Sequence, residues 1–292
     1  MNYPVSSPYR SCYAISHRSK WFERTNLHSI RPLNRTNHIS MSDGHVHSTV
    51  EEGIATISFH HPKSNSLPGH ILRSIASAIE TAGNDTNVRV IILQSEGEKA
   101  FCAGASFDEL LAIDDIAAGT VFFSGFAAVI NAIRKAPVFV IGRIHSHIVG
   151  GGVGLACAVD IAYAHENASA RLSELAIGIG PFVVGPAVER KTGNGVFGLL
   201  SATPATRRSA AWCVQNGIYA ELFPTMDALN SKIEEHTKEL STYSPEAMAE
   251  LKKIMWRGTE DWDTLLADRA ATSGRLVLSD FTRNAIAKFK NK

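Results

Sequence analysis

VFVIGRIHSHIVGGGVGLACAVDIAYAHENASARLSE, residues 138–174, decides the fold. It opens on Val138-Phe139-Val140-Ile141, an apolar and mostly β-branched run that predicts a buried strand. Gly150-Gly151-Gly152-Val153-Gly154 then leads into Leu155–Val159, a small apolar segment of helical length. Glycines between a strand and a helix allow close approach to the backbone. The first N–H groups of a helix lack intrahelical acceptors and favour negative charge. The stretch therefore predicts a strand, a bare backbone loop and a helix start facing a pocket. A carboxylate, Glu174, closes the stretch.

Upstream, Ile54–Phe59 predicts a strand and 60–66 a loop. Ile71, Leu72, Ile75, Ala76 and Ile79 mark a helix by their spacing of three and four. Val88–Gln94 predicts a second strand. A turn at 96–99 leads to Phe101-Cys102-Ala103-Gly104-Ala105-Ser106, and a long helix covers Val121–Ile133, stopped before Pro137. Downstream, Asp160–Ala164 predicts a strand, Ala176–Gly185 a loop and Gly217–Ala220 a short strand. Helices follow at Thr225–Leu240, from a Ser244 cap with Pro245 at its first position, and over Trp262–Lys290 with a break near Ser279-Asp280. Strands and helices alternate early and helices dominate late, which makes the chain α/β.

The 292 residues, a formal net charge of +1 and 45% hydrophobic residues suit one large globular unit. Near-neutrality argues against a nucleic-acid face, and no apolar run approaches the roughly 18 residues needed to span a bilayer. Cys12, Cys102, Cys157 and Cys213 form no Cys-x-x-Cys pair and predict free thiols in a reducing compartment. Residues 1–40 carry six Arg and Lys against the single acid Glu23. They are expected to be a disordered tail or sequence upstream of a true start at Met41, or else a transit peptide. The first implies a cytoplasmic protein, the second the mitochondrial matrix. Residues 41–242 are expected to form the core with the active site, and 243–292 a helical C-terminal region.

Two backbone elements qualify as an oxyanion hole: the Ala103-Gly104-Ala105 turn and the Gly150-Gly151-Gly152 helix start. Two N–H groups aimed at one carbonyl oxygen stabilise an enolate or tetrahedral anion, and one such donor is worth on the order of 3 kcal/mol in the transition state.

Glu98 to Ala105, the Gly150–Gly152 run, Asp160-Ile161 and Ser173-Glu174 through Ile179 together resemble the crotonase (enoyl-CoA hydratase/isomerase) superfamily. Asn65-Ser66-Leu67 and the helix from Phe281 to Lys290 fit as well. The resemblance covers about residues 50–290. It implies a spiral of ββα units, a C-terminal helical trimerisation region and an acyl-CoA thioester substrate. The protein would then form a homotrimer or a dimer of trimers. Coenzyme A would enter as part of the substrate, with no separate cofactor and no metal. Oxyanion donors are implied at Ala105 and Gly151, and acid/base chemistry at Glu174. Substrate contacts are expected at Ser64, Asn65, Ala103, Gly104, Gly150, Gly152 and Phe182. Among Lys63, Lys252, Lys253, Lys288 and Lys290, Lys288 and Lys290 are the better candidates for the CoA phosphates.

The chain departs from the hydratase pattern at one telling position. Hydratases of the family carry a first glutamate two positions after the glycine run, and here that position is Gly154. The position eight beyond Glu174, an aspartate in dienoyl-CoA isomerases, is Phe182. One carboxylate suffices for a 1,3-proton shift, so an enoyl-CoA isomerase-like reaction is expected, with one-glutamate hydration close behind. His145 and His147 replace small residues of the family and leave open a histidine-assisted hydrolysis of carbon–carbon bonds. The loss at Gly154 leaves open a silent CoA-thioester binder. Asp108 and Glu109 are expected in capping or solvated roles, and His45, His47, His60 and His61 as no metal site.

Overall fold

In the computed structural model, which describes residues 43–290, the chain opens with a hairpin. Strand β1 (His45–Glu51) pairs antiparallel with β2 (Ile54–His60) across a turn at Glu52 and Gly53. Both turn residues have positive φ, 50° and 79°, the geometry that matches the twist of flanking strands. β1 is absent from the sequence expectation because it lies half-exposed or exposed along its length and carries little apolar signal. The basic segment 1–40, with Cys12 and the start at Met41, lies outside the described residues.

A two-residue strand β3 (Ser66–Leu67) leads into α1 (Gly69–Asn84), whose buried face is Ile71, Leu72, Ile75, Ala76 and Ile79. β4 (Val90–Ser95) runs parallel to β2. The short β5 (Ala100–Cys102) and β6 (Gly104–Ala105) follow, then α2 (Phe107–Ala112) and α3 (Ile116–Lys135). The decisive stretch becomes β7 (Phe139–Ile144), β8 (His147–Val149), α4 (Gly151–Ala158), β9 (Ile161–His165) and β10 (Ser169–Arg171). A 3₁₀ turn at Glu174–Ile177 runs into the first two residues of the expected loop.

The main sheet is six-stranded, in the order β1-β2-β4-β7-β9-β12, where β12 is Glu221–Phe223, just beyond the strand expected at 217–220. Its central strands are buried on both faces and so read as continuous apolar runs. Ile91, Leu93 and Val140 face one core with α1, α3 and α4, while Val90, Phe139 and Ile141 face a second core with Leu229, Ile233 and Leu240. A second, four-stranded sheet runs β11-β10-β8-β5, with β11 at Arg208–Ser209. β3 and β6 form a separate parallel pair.

The later helices are α5 (Gly185–Thr192), α6 (Asn194–Ala202), α7 (Ala210–Gln215) and α8 (Met226–Ser241). They continue as α9 (Pro245–Met255), α10 (Trp262–Leu276) and α11 (Asp280–Lys290). Ser244 caps α9, accepting from Ala247 N at 3.3 Å, with Pro245 at the first position as its sequence predicts. One expectation needs correction: α3 is long and apolar enough, by length and composition, to cross a bilayer. Here its Phe122, Phe126, Val129, Ile130 and Ile133 are buried in the core. α3 also meets α10 at Gly119 and Gly274, where a Cβ on Gly119 would sit 2.7 Å from the Gly274 Cα.

Candidate active site

The two candidate oxyanion segments are brought together by strand pairing. β6 is held by β3, with Ser66 opposite Gly104 and Leu67 opposite Ala105. Asn65 fixes the approach to this pair. Its Oδ1 accepts from His61 N at 2.7 Å, and its Nδ2 donates to Glu96 O at 2.8 Å and Ala100 O at 2.9 Å. Its carbonyl accepts from Ala103 N at 3.1 Å. On the other side, Gly104 (φ +92°) lies so close to the start of α4 that a Cβ there would be 3.4 Å from Gly151 N and 3.0 Å from Val149 O. The Ala103–Ala105 turn and the α4 N-terminus are thus neighbours in space.

Gly150 precedes α4 with φ 54°, a conformation that favours glycine, and it has no side chain to cap the helix. Val153 N donates to Gly150 O at 2.8 Å, and no side chain at Gly150 caps the N–H groups ahead of it. At Gly151 a Cβ would fall 2.2 Å from the Phe126 ring, so glycine lets that ring lie against the helix start. At Gly152 it would fall 2.3 Å from Cys102 O, which keeps α4 tight against β5.

Glu174 begins the 3₁₀ turn and faces Gly150, where a Cβ would be 3.3 Å from the Glu174 Oε1. Its Oε2 is buried without a hydrogen-bond partner. Burial raises its pKa to about 7, against a smaller opposing effect of hydrogen bonds from the backbone at Glu174 and Ser173. A carboxyl poised near neutrality can both take and return a proton.

One cleft joins these parts. It holds about 540 Å3 of empty space, including its open mouth, and its lining includes Ala103, Gly104, Ala105, Gly150, Gly151 and Glu174. Among the described residues Glu174 is the one ionisable group in its lining; the rest of the wall is largely apolar, with Phe107, Leu110, Phe123, Phe126, Phe182, Val183 and Val184. Gly154, the position of the missing glutamate, meets Val184: a Cβ there would sit 2.3 Å from the Val184 Cβ. Packing fills the space that a second carboxylate needs.

The other expected residues fall in several places. Gly152 lies beside the cleft, packed on Cys102. Ser64 and Asn65 do not line it; they border a separate hollow with His60, His61 and Glu96, and the side chain of Asn65 is committed to the backbone. Lys288 is exposed on α11. Lys252, a candidate for the CoA phosphates, is buried, 2.9 Å from Asp160 Oδ2, and donates to Val138 O at 2.7 Å. Lys63 pairs with Asp108 and Lys253 with Glu250. Glu109 accepts from Gly69 N at 2.7 Å and so caps α1.

His145 and His147 are not part of the cleft wall. His145 is pushed down to about 4, by burial first and by Arg143 second. His147 Nδ1 lies 2.9 Å from Ser169 Oγ, which accepts from Arg207 at 2.7 Å. Cys102, Cys157 and Cys213 are buried free thiols, and burial pushes each up to about 12. Among the described residues no group of three His, Cys, Asp or Glu side chains is placed to hold a metal ion. The cleft walls Phe123, Phe126, Val184 and Ser273 were not singled out by sequence reasoning. Phe123 and Phe126 fall in the expected long helix and predict only core, Val184 lies in the expected loop and Ser273 is a polar helix residue, so none announces a cleft.

A family model described as enoyl-CoA hydratase/isomerase matches residues 49–287. The short-chain-enoyl-CoA hydratase of Clostridium acetobutylicum is 27% identical over 245 residues, 83% of this chain and 93% of that protein. The mitochondrial methylglutaconyl-CoA hydratase of Rattus norvegicus is 38% identical over 117 residues, which span 40% of this chain and 37% of that relative. The crystal structure of an enoyl-CoA hydratase from Bacillus halodurans superposes with a TM-score of 0.77 at 20% identity, over 83% of this chain and 99% of that one. The expected crotonase fold is the fold observed. With the match running almost the whole described length, this chain belongs to the enoyl-CoA hydratase/isomerase family.

Proposed function

We propose that this protein is an acyl-CoA-processing enzyme that isomerises an enoyl thioester, with Glu174 as its single acid/base. The observation that carries the reading is the Gly154–Val184 contact, which leaves no room for a second carboxylate beside Glu174. The thioester oxygen accepts from the backbone N–H groups of Ala105 and Gly151. Glu174 takes a proton from C2 of a 3-enoyl group, and the C2–H electron pair becomes the C1–C2 double bond of a dienolate. The oxyanion hole holds its negative charge. Glu174 then returns the proton to C4 as the double bond settles between C2 and C3. No atom is gained or lost, so no water is needed. Coenzyme A enters as part of the substrate, and assembly as a homotrimer or a dimer of trimers belongs to the same reading.

Hydration is the second reading, favoured by the names of the relatives. It would use Glu174 for both protons. The test gives the enzyme crotonyl-CoA and a 3-enoyl-CoA in heavy-oxygen water, with mass detection. A shifted double bond without label is the expected result. Label in a 3-hydroxyacyl product would replace isomerisation with hydration, and binding without turnover would leave a silent binder.

A further inference from the structure

The inner wall of the cleft is hydrocarbon. Phe107, Leu110, Phe123, Phe126, Val183 and Val184 line it, and the one hydroxyl not on the Glu174 turn, Ser273, already donates to Arg269 O at 3.1 Å. Among the described residues no cation lines the cleft, and its one charge-bearing group is an acid. A carboxylated acyl tail would be buried without a partner and beside Glu174, a cost that uncharged tails escape.

A second observation bounds the length. Gly180, Pro181 and Phe182 line this cleft and also a neighbouring groove with Leu175, Pro186, Phe197 and Ala202. Phe182 is the large side chain of that shared wall. Its N donates to Gly180 O at 2.8 Å, folding the segment back, and a Cβ on Gly180 would lie 2.5 Å from the Phe182 ring. The ring therefore lies over Gly180, between the two spaces.

Building on the thioester reading above, we infer that the cleft takes a short, uncharged hydrocarbon acyl group and that the Phe182 ring sets its length limit. The groove beyond is largely apolar, with Glu189 and Arg269 among its lining residues, so it can receive a longer hydrocarbon chain once the ring is removed.

The test titrates three saturated, unreactive thioesters, butyryl-, decanoyl- and glutaryl-CoA, into the full chain by calorimetry. Butyryl-CoA is expected to bind at least tenfold tighter than either of the others. Phe182→Ala is expected to raise the decanoyl-to-butyryl preference at least tenfold, and Phe182→Leu to raise it less. Glutaryl-CoA binding as tightly as butyryl-CoA overturns the neutral pocket. Decanoyl-CoA binding as tightly as butyryl-CoA in the unaltered chain, or an unchanged preference in a folded Phe182 variant, overturns the length limit. Failure of all three to bind overturns the thioester reading itself, a result separate from any change of preference.

Discussion

Two acids sit at the two ends of α4, and they have opposite surroundings. Asp160, past the C-terminal end, is saturated. Its Oδ2 accepts from Val140 N at 2.8 Å and pairs with Lys252 at 2.9 Å, and its Oδ1 accepts from Trp256 Nε1 at 2.8 Å. Arg190 stacks over the Trp256 ring at 3.9 Å, and Lys191 donates to Asp160 O at 2.6 Å. Glu174, beside the N-terminal end, keeps a buried oxygen without a partner. A carboxylate with both oxygens engaged holds the fold together. One left unsatisfied and pushed towards neutrality is available for chemistry.

The contrast breaks most sharply on the Asp160 side. Asp160→Ala strands Lys252 in the core and is expected to cost about 3–5 kcal/mol of unfolding free energy in denaturant titration. A loss below about 1 kcal/mol, the scale of an exposed pair, would mean that Asp160 anchors nothing.

On the other side, Glu174→Gln is expected to lower turnover by about 10²–10⁴-fold while the fold is retained; full activity would remove Glu174 from the mechanism. The same variant tests its titration. The pKa of Glu174 in the folded chain, about 7, lies above its ordinary value of 4.5, so the native state holds the proton longer. Its stabilising contribution is complete below pH 4.5 and fades as pH rises through 7, by up to about 3 kcal/mol. Melting of Glu174→Gln across that window should show a flatter slope than the unaltered chain. Equal slopes would place the carboxyl in water.

The smallest effect sharpens the comparison at α4 itself. Gly154→Ala drives a methyl group into Val184 and is expected to cost about 1–3 kcal/mol. Adding Val184→Ala should recover at least half of that loss, as measured by thermal melting. Additive losses would show that the two positions do not share one space.

What could be read in the chain was local. The apolar strand, the glycine run and the helix after it lie within about twenty residues, so their pattern gives both the element types and one half of the site. Glu174 was legible through the Ser173-Glu174 motif that closes the stretch, not through its being alone, since Asp160 and Glu166 precede it. Lys252 was not, because nothing in its type or neighbours announces that its partner is Asp160, far back along the chain. Asn65 looks like a loop residue at a substrate, yet the backbone groups that occupy it belong to Glu96 and Ala100. The hydrocarbon wall was hidden for the same reason: Phe123, Val184 and Ser273 meet only in the folded chain.

The contact between Gly119 and Gly274 has a consequence for biosynthesis. It joins residues far apart in the chain, and Ser273 beside it completes the cleft wall. A ribosome that has translated Glu174 and both glycine segments has made the candidate site residues, but α10 still lies ahead. Until α10 emerges, the nascent polypeptide lacks both that contact and the part of the cleft wall at Ser273.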